Sequence, residues 1–137
     1  MRVVPRAVIA SASKRAASFR SEQRLHRPEE FLAVMAVRRV VRGQSFDLHY
    51  RGTDAGACVR LGLIVPKRLA RAASLRNAIK RQGREAFRLM AVQIPPCDLI
   101  LRLTRPIKNV RAADVEQRKV WRSEIETLLK RLPTHLQ

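Results

Sequence analysis

The sequence predicts an α+β fold, a single-domain sandwich of helices packed on a sheet, with the element order α-β-β-α-β-α. Three observations carry that prediction. Residues 45–50 alternate apolar and polar side chains with period two, and residues 58–65 and 97–103 are short apolar runs with prolines beyond them. Residues 74–90 and 113–132 instead repeat apolar side chains at helical spacing. At 137 residues the chain fits one domain, able to bury roughly two-thirds of its unfolded surface.

Taken in order, residues 1–23 read as a basic N-terminal arm, 24–133 as the folded domain and 134–137 as a tail. The arm holds Arg2, Arg6, Lys14, Arg15 and Arg20 and no acid before Glu22. That composition is what an organellar transit segment shows, but the reading preferred here is a disordered basic arm that adds non-specific RNA affinity. Pro28-Glu29-Glu30 sets a proline and two acids at a helix start, where they suit the helix dipole. Phe31, Val34 and Met35 follow at helical spacing, and Gly43 ends the region. In the first strand Phe46, Leu48 and Tyr50 share one side, with Asp47 and His49 on the other. A turn with Gly52 and Gly56 leads to a second strand, residues 58–65. Its apolar run predicts a central place in the sheet, and Pro66 closes it. A helix over residues 74–90, a strand over Cys97–Leu103 and a helix over 113–132 complete the domain. In the last helix Trp121, Ile125, Leu128, Leu129 and Leu132 are spaced for burial, and Pro133 ends it.

Charge narrows the function. Against 11 Asp+Glu stand 29 Lys+Arg, for a net charge of +18 and a pI near 11.7. Such self-repulsion is tolerated where a polyanion neutralises it, so nucleic acid or an anionic membrane is the expected partner. No apolar run approaches the ~20 residues of a spanning helix, which excludes an integral membrane protein. Cys58 and Cys97 offer neither metal-ligand spacing nor a disulfide framework, and with no secretory signal this points to a reducing compartment. His26, His49 and His135 are scattered, so no metal site is expected.

The helix over 74–90 holds the densest chemistry. On a wheel at ~100° per residue, Leu75, Ala78, Ile79, Ala86, Leu89 and Met90 share one arc, joined by Gln82 and Gly83. Gly83, a weak helix former at the edge of that arc, suggests close approach to the sheet. Arg76, Asn77, Lys80, Arg81, Arg84 and Arg88 fill the facing arc with Phe87 among them, and Glu85 is the only acid. An ordinary solvated face mixes signs, whereas Arg76/Lys80, Lys80/Arg84 and Arg84/Arg88 are like pairs that repel. A phosphate-lined partner explains them: the arginines can fork onto phosphate oxygens and Asn77 can bond a base edge or a sugar hydroxyl.

The string Arg60-Leu61-Gly62-Leu63-Ile64-Val65-Pro66-Lys67-Arg68, followed by Arg76-Asn77-x-x-Lys80-Arg81-x-x-Arg84-Glu85-x-Phe87-Arg88, closely resembles the bacterial ribonuclease P protein component family. More weakly, Arg24-Leu25 with Glu30-Phe31, and Cys97-Asp98-Leu99-Ile100, resemble the family's opening helix and last strand. The resemblance spans residues 24–132 and implies an α-β sandwich with a left-handed β-α-β crossover. It implies a protein subunit that binds one catalytic RNA, protein and RNA together removing the 5′ leader of precursor tRNA. Phosphodiester hydrolysis then occurs at Mg²⁺ held mainly by the RNA and substrate, the protein alone is inactive, and the setting is cytoplasmic. Arg76, Asn77, Lys80, Arg81, Arg84 and Arg88, with Lys67 and Arg68 at the strand end, would face the RNA subunit. Phe31, Met35, Asp47 and His49 would line the leader cleft, although Phe31 and Met35 also suit the core. Ala78 departs from the family's Arg-Asn-Arg signature and removes one phosphate contact.

Other readings explain less. A basic ribosomal or ribosome-assembly protein accounts for charge and length but not for the strand-to-helix string. A major-groove DNA reader fits poorly with cations spread over so wide an arc. An aromatic content of 4% argues against a base-stacking platform. A free-standing nuclease lacks the acids to hold metal, and Glu85 reads as an internal salt-bridge partner.

Overall fold

The computed structural model describes residues 21–134, so most of the basic arm and the end of the tail lie outside the described residues. Residues 21–23, assigned to the arm, instead form a short 3₁₀ turn against the domain. Three α-helices follow, α1 (Pro28–Val37), α2 (Ala73–Met90) and α3 (Val115–Lys130). One sheet holds β1 (Val40–Arg42), β2 (Phe46–Gly52), β3 (Arg60–Ile64) and β4 (Cys97–Leu103) in the order β1-β2-β4-β3. The α+β class holds, with an added strand: β1 is too short to show alternation and exists through its pairing with residues 47–49 of β2.

The helix starts are chemically legible. Glu30 accepts the backbone N–H groups of His26 (2.8 Å) and Arg27 (2.9 Å), which closes the entry to α1 beside Pro28. α1 ends at Val37 because Arg38 turns left-handed at φ 60°, not because of Gly43. Asp114 caps α3 by accepting from the Gln117 N–H at 3.0 Å.

β4, not β3, is the buried centre of the sheet. It runs antiparallel to β2 from Phe46↔Leu103 to Gly52↔Cys97 and parallel to β3. β3 lies at the edge, yet reads as a central strand because its outer side is also covered: the Leu25 N–H donates to the Leu61 carbonyl at 3.1 Å. α2 and α3 cover one face, where Leu48, Leu61, Leu99, Leu101 and Leu103 pack with Ile79, Phe87, Trp121, Ile125 and Leu128. α1 covers part of the other, where Val34 meets Leu25 and Ile100.

Two wheel assignments on α2 change. Phe87, placed among the cations, is fully buried, and Leu89, placed in the apolar arc, is 52% exposed. The helix has two neighbours, the sheet and α3, so its buried arc is rotated from a single docking plane. Gly83 does mark close approach: an added Cβ would lie 2.9 Å from Leu63 Cδ2 and 3.0 Å from Leu101 Cδ2.

One ion-pair cluster joins the layers. Asp98, 1% exposed, accepts from Arg60 Nε and Nη2, both at 2.8 Å, while Arg60 Nη1 reaches Glu30 on α1. Removing one partner of a buried pair leaves the other charge uncompensated. Asp98→Ala is therefore expected to lower unfolding free energy by about 3–5 kcal/mol, measured by urea denaturation; a loss under about 1 kcal/mol, the scale of an exposed pair, would contradict this role.

Candidate RNA interface

On α2, the structure brings the expected cations to one side but gives them unequal freedom. Asn77 and Arg81 are exposed, while Arg76, Lys80, Arg84 and Arg88 are half-buried. One nitrogen of Arg76 donates to the Ala70 carbonyl (3.0 Å) and the Arg71 carbonyl (2.7 Å), so this side chain also shapes the loop before the helix. Arg88 pairs with Glu85 at 2.8 Å, the internal salt bridge expected of that acid. The pair holds the Glu85 carboxyl below its ordinary range and raises Arg88. Lys67 and Arg68 are exposed just past the end of β3. Ala78 is partly buried against the core, a place where a long cation is not required.

The second set of residues lies across the sheet. β2 alternation sends Phe46 and Leu48 into the main core and Asp47 and His49 to the α1 side. Phe31 and Met35 are half-buried on α1, packed against the Leu25, Val34 and Ile100 cluster, so both contribute to packing. Phe31 fits because residue 62 is glycine: a Cβ there would lie 2.5 Å from Phe31 Cε2.

Charge on this face is mixed. Asp47 pairs with Arg42 at 3.4 Å and stands opposite Arg102 of β4. Neither His49 ring nitrogen has a hydrogen-bond partner. Burial lowers the His49 pKa, Asp47 opposes that shift, and Arg102 and Arg42 add to it. Arg102 was not singled out from sequence, although alternation along β4 places Asp98, Ile100 and Arg102 on one side.

The two surfaces meet at the β3 edge. A cavity of about 270 Å³ there is lined by Arg24, His26, Phe31, Gly62, Lys80 and Arg84. Desolvation lowers the Arg84 pKa, and the Arg24 charge lowers it further.

Among the described residues no three His, Cys, Asp or Glu gather to hold a metal ion. The acids nearest the two surfaces are engaged: Glu30 and Asp98 by Arg60, Glu85 by Arg88, and Glu124 by the Ser45 and Phe46 N–H groups. No described helix is long and apolar enough to cross a membrane. The arrangement can neutralise and position phosphates.

Comparison with known proteins gives one family. The family model described as Ribonuclease P matches residues 19–132. A ribonuclease P protein component from Azoarcus sp. (strain BH72) is 43% identical over 99 residues, covering 72% of this chain and 82% of that relative. One from Bordetella avium (strain 197N) is 48% identical over 88 residues, covering 64% and 73%. The RNase P protein of Staphylococcus aureus superposes with a TM-score of 0.65 at 26% identity, covering 79% of this chain and 93% of that one. The Thermotoga maritima RNase P protein, solved with 1-(4-fluorophenyl)-2-thiourea, gives 0.63 at 26% identity, covering 80% and 99%.

The α1 cap carries a pH signature. Backbone N–H groups of Arg27 and His26, then Arg60, hold Glu30 near pKa 2 against an ordinary 4.5. A depressed carboxylate contributes stability above its unfolded pKa and loses it as pH falls through the folded one. The stability difference between the wild-type chain and Glu30→Gln should thus be constant above pH 4.5 and shrink toward pH 2. Urea midpoints across that range check it, and a difference that persists unchanged at pH 2 would refute the assignment.

Proposed function

The chain belongs to the ribonuclease P protein component family, and from that premise we propose how its two surfaces divide the work of removing the 5′ leader from precursor tRNA. α2 is the docking face for the catalytic RNA subunit, with Arg76, Asn77, Lys80, Arg81, Arg84, Arg88, Lys67 and Arg68 as its polar contacts. The observation that carries this is the run of like-charged neighbours on α2 with a single acid among them. Phosphates at the arginine and lysine ends would turn that repulsion into attraction.

The α1 side of the sheet takes the single-stranded leader. Phe31 and Met35 supply an apolar wall, and Asp47, His49 and Arg102 the polar floor. Arg102 is the cation suited to a leader phosphate there, and the His49 ring is suited to a base edge or sugar hydroxyl. One protein serves one RNA in this reading, in the cytoplasm.

Mg²⁺ supplies the hydrolytic chemistry from sites on the RNA and substrate. Among the described residues no three His, Cys, Asp or Glu gather at one place, and the carboxylates of Glu30, Asp98 and Glu124 are engaged by Arg60 and by backbone N–H groups. The protein's contribution is therefore electrostatic and positional: it lowers the repulsion between two RNAs and holds the leader in place.

Reconstitution tests this directly. The purified chain alone should leave precursor tRNA intact, and with the cognate RNA subunit at low Mg²⁺ it should produce cleavage at the mature 5′ end. Cleavage by the protein alone, or no stimulation of the RNA, overturns the proposal. Affinity for the RNA subunit should also fall on the order of 10³-fold between about 50 and 200 mM monovalent salt if about six phosphates are contacted. Lys80→Ala with Arg81→Ala should weaken RNA-subunit binding, whereas Phe31→Ala should mainly weaken the dependence on the leader; equal defects would undo the division of surfaces.

A further inference from the structure

Adjacent parallel strands send their following loops off the same end of the sheet, the place where open α/β sheets form ligand crevices. β3 and β4 are such a pair. The loop after β3 carries Lys67, Arg68 and Arg71, and the loop after β4 carries Arg105, Lys108 and Arg111. Neither 65–72 nor 104–113 contains an acid. The Ile107 N–H donates to the Leu69 carbonyl at 2.8 Å and ties the loops together.

Between them lies a groove of about 610 Å³. Leu69, Leu75 and Ile107 give it an apolar lining continuous with the core, and Arg68, Arg71 and Lys108 give it cations. Asn109 also lines it, at a positive φ of 59° that asparagine tolerates better than most residues. Arg76, through its bonds to the Ala70 and Arg71 carbonyls, holds the wall on the α2 side.

We infer that this groove binds one unpaired nucleotide of the RNA subunit, its base on Leu69, Leu75 and Ile107 and its flanking phosphates on Arg68, Arg71 and Lys108. An apolar surface ringed by cations without an acid matches a nucleotide, which is a flat ring between two anionic links. The volume suits a small ligand and does not admit a duplex. Unpaired bases in loops and bulges are the parts of a folded RNA that proteins can read. The RNA subunit is favoured over the leader by position: Leu75 belongs to the first turn of α2, so the groove continues the α2 surface, whereas the leader cleft lies beneath α1 on the opposite face. The Asn109 amide, with both donor and acceptor, can select among bases. The inference rests on reading α2 as the RNA-docking face.

The test uses the full chain and two probes, a short single-stranded oligouridylate with a central 2-aminopurine and the cognate RNA subunit. Arg71→Glu with Lys108→Glu should weaken both by at least about tenfold, abolish the 2-aminopurine response and reduce the salt slope by about 0.7 for each phosphate no longer neutralised. Lys119→Glu with Lys130→Glu, the same charge change on exposed positions of α3, should shift affinity less than about threefold. Asn109→Gly, which keeps the backbone geometry, should lose any preference between adenine and uracil probes. Circular dichroism checks that each variant is folded. Equal losses in the groove and α3 variants would mean diffuse attraction and overturn the site, as would wild-type binding by the groove variant. A defect appearing only in leader dependence would overturn the choice of the RNA subunit. Failure of the wild-type chain to activate the RNA subunit would instead refute the proposed function, so the two failures are separable.

Discussion

The Arg60 guanidinium grips both oxygens of the buried Asp98 and also reaches Glu30. Three elements meet in that one side chain: β3 supplies the cation, β4 the buried carboxylate, and α1 the second acid, whose other oxygen closes the helix start. The α1 layer depends on it, because the apolar cluster beneath that helix is small, Leu25, Val34 and Ile100 at its centre. The geometry is of the kind that makes a buried pair worth keeping: a bidentate fork with each oxygen satisfied. It also engages two acids of an acid-poor chain with one arginine, so neither carboxylate is left to offset the cations of α2.

That partition accompanies two chemically different faces in a chain with net charge +18. The main core lies under α2 and α3, which frees the outward arc of α2 to concentrate cations. The opposite face is covered by a single short helix, so apolar and polar groups remain reachable beside it. At the β3 edge the two meet, and Gly62 lets Phe31 approach the strand closely enough to form the seam.

Much of this was legible in sequence because it rests on local rules. Alternation found β2, the proline and acids found the start of α1, and like-charge spacing found the polar side of α2. Gly83 was readable as a contact point because a weak helix former in a helix needs a reason. What was not legible depends on partners distant in sequence. β1 has three residues and exists only through β2. The edge position of β3 was hidden because a bridge from Arg24 covers its free side. Phe87 and Leu89 exchanged environments because α3 adds a second wall that a one-plane wheel omits. The cations of the loop after β4 look like scattered linker residues until Ile107 ties them to Leu69.

The central place of β4 has a consequence for biosynthesis. Among the described residues β3 has no strand neighbour but β4, and β2 meets only the short β1 on its other side. Until residues 97–103 have left the ribosome, the chain holds a two-stranded ribbon, an orphan strand and an amphipathic helix without the central strand that joins them. Isolated ribbons are marginal in water, and closing contacts so far apart in sequence is slow. Emergence at about 5–20 residues per second makes that vulnerable interval a matter of seconds. A delay before Cys97 emerges would prolong the exposure of sticky surface, whereas the same delay once Leu103 has emerged would fall on a sheet already able to close.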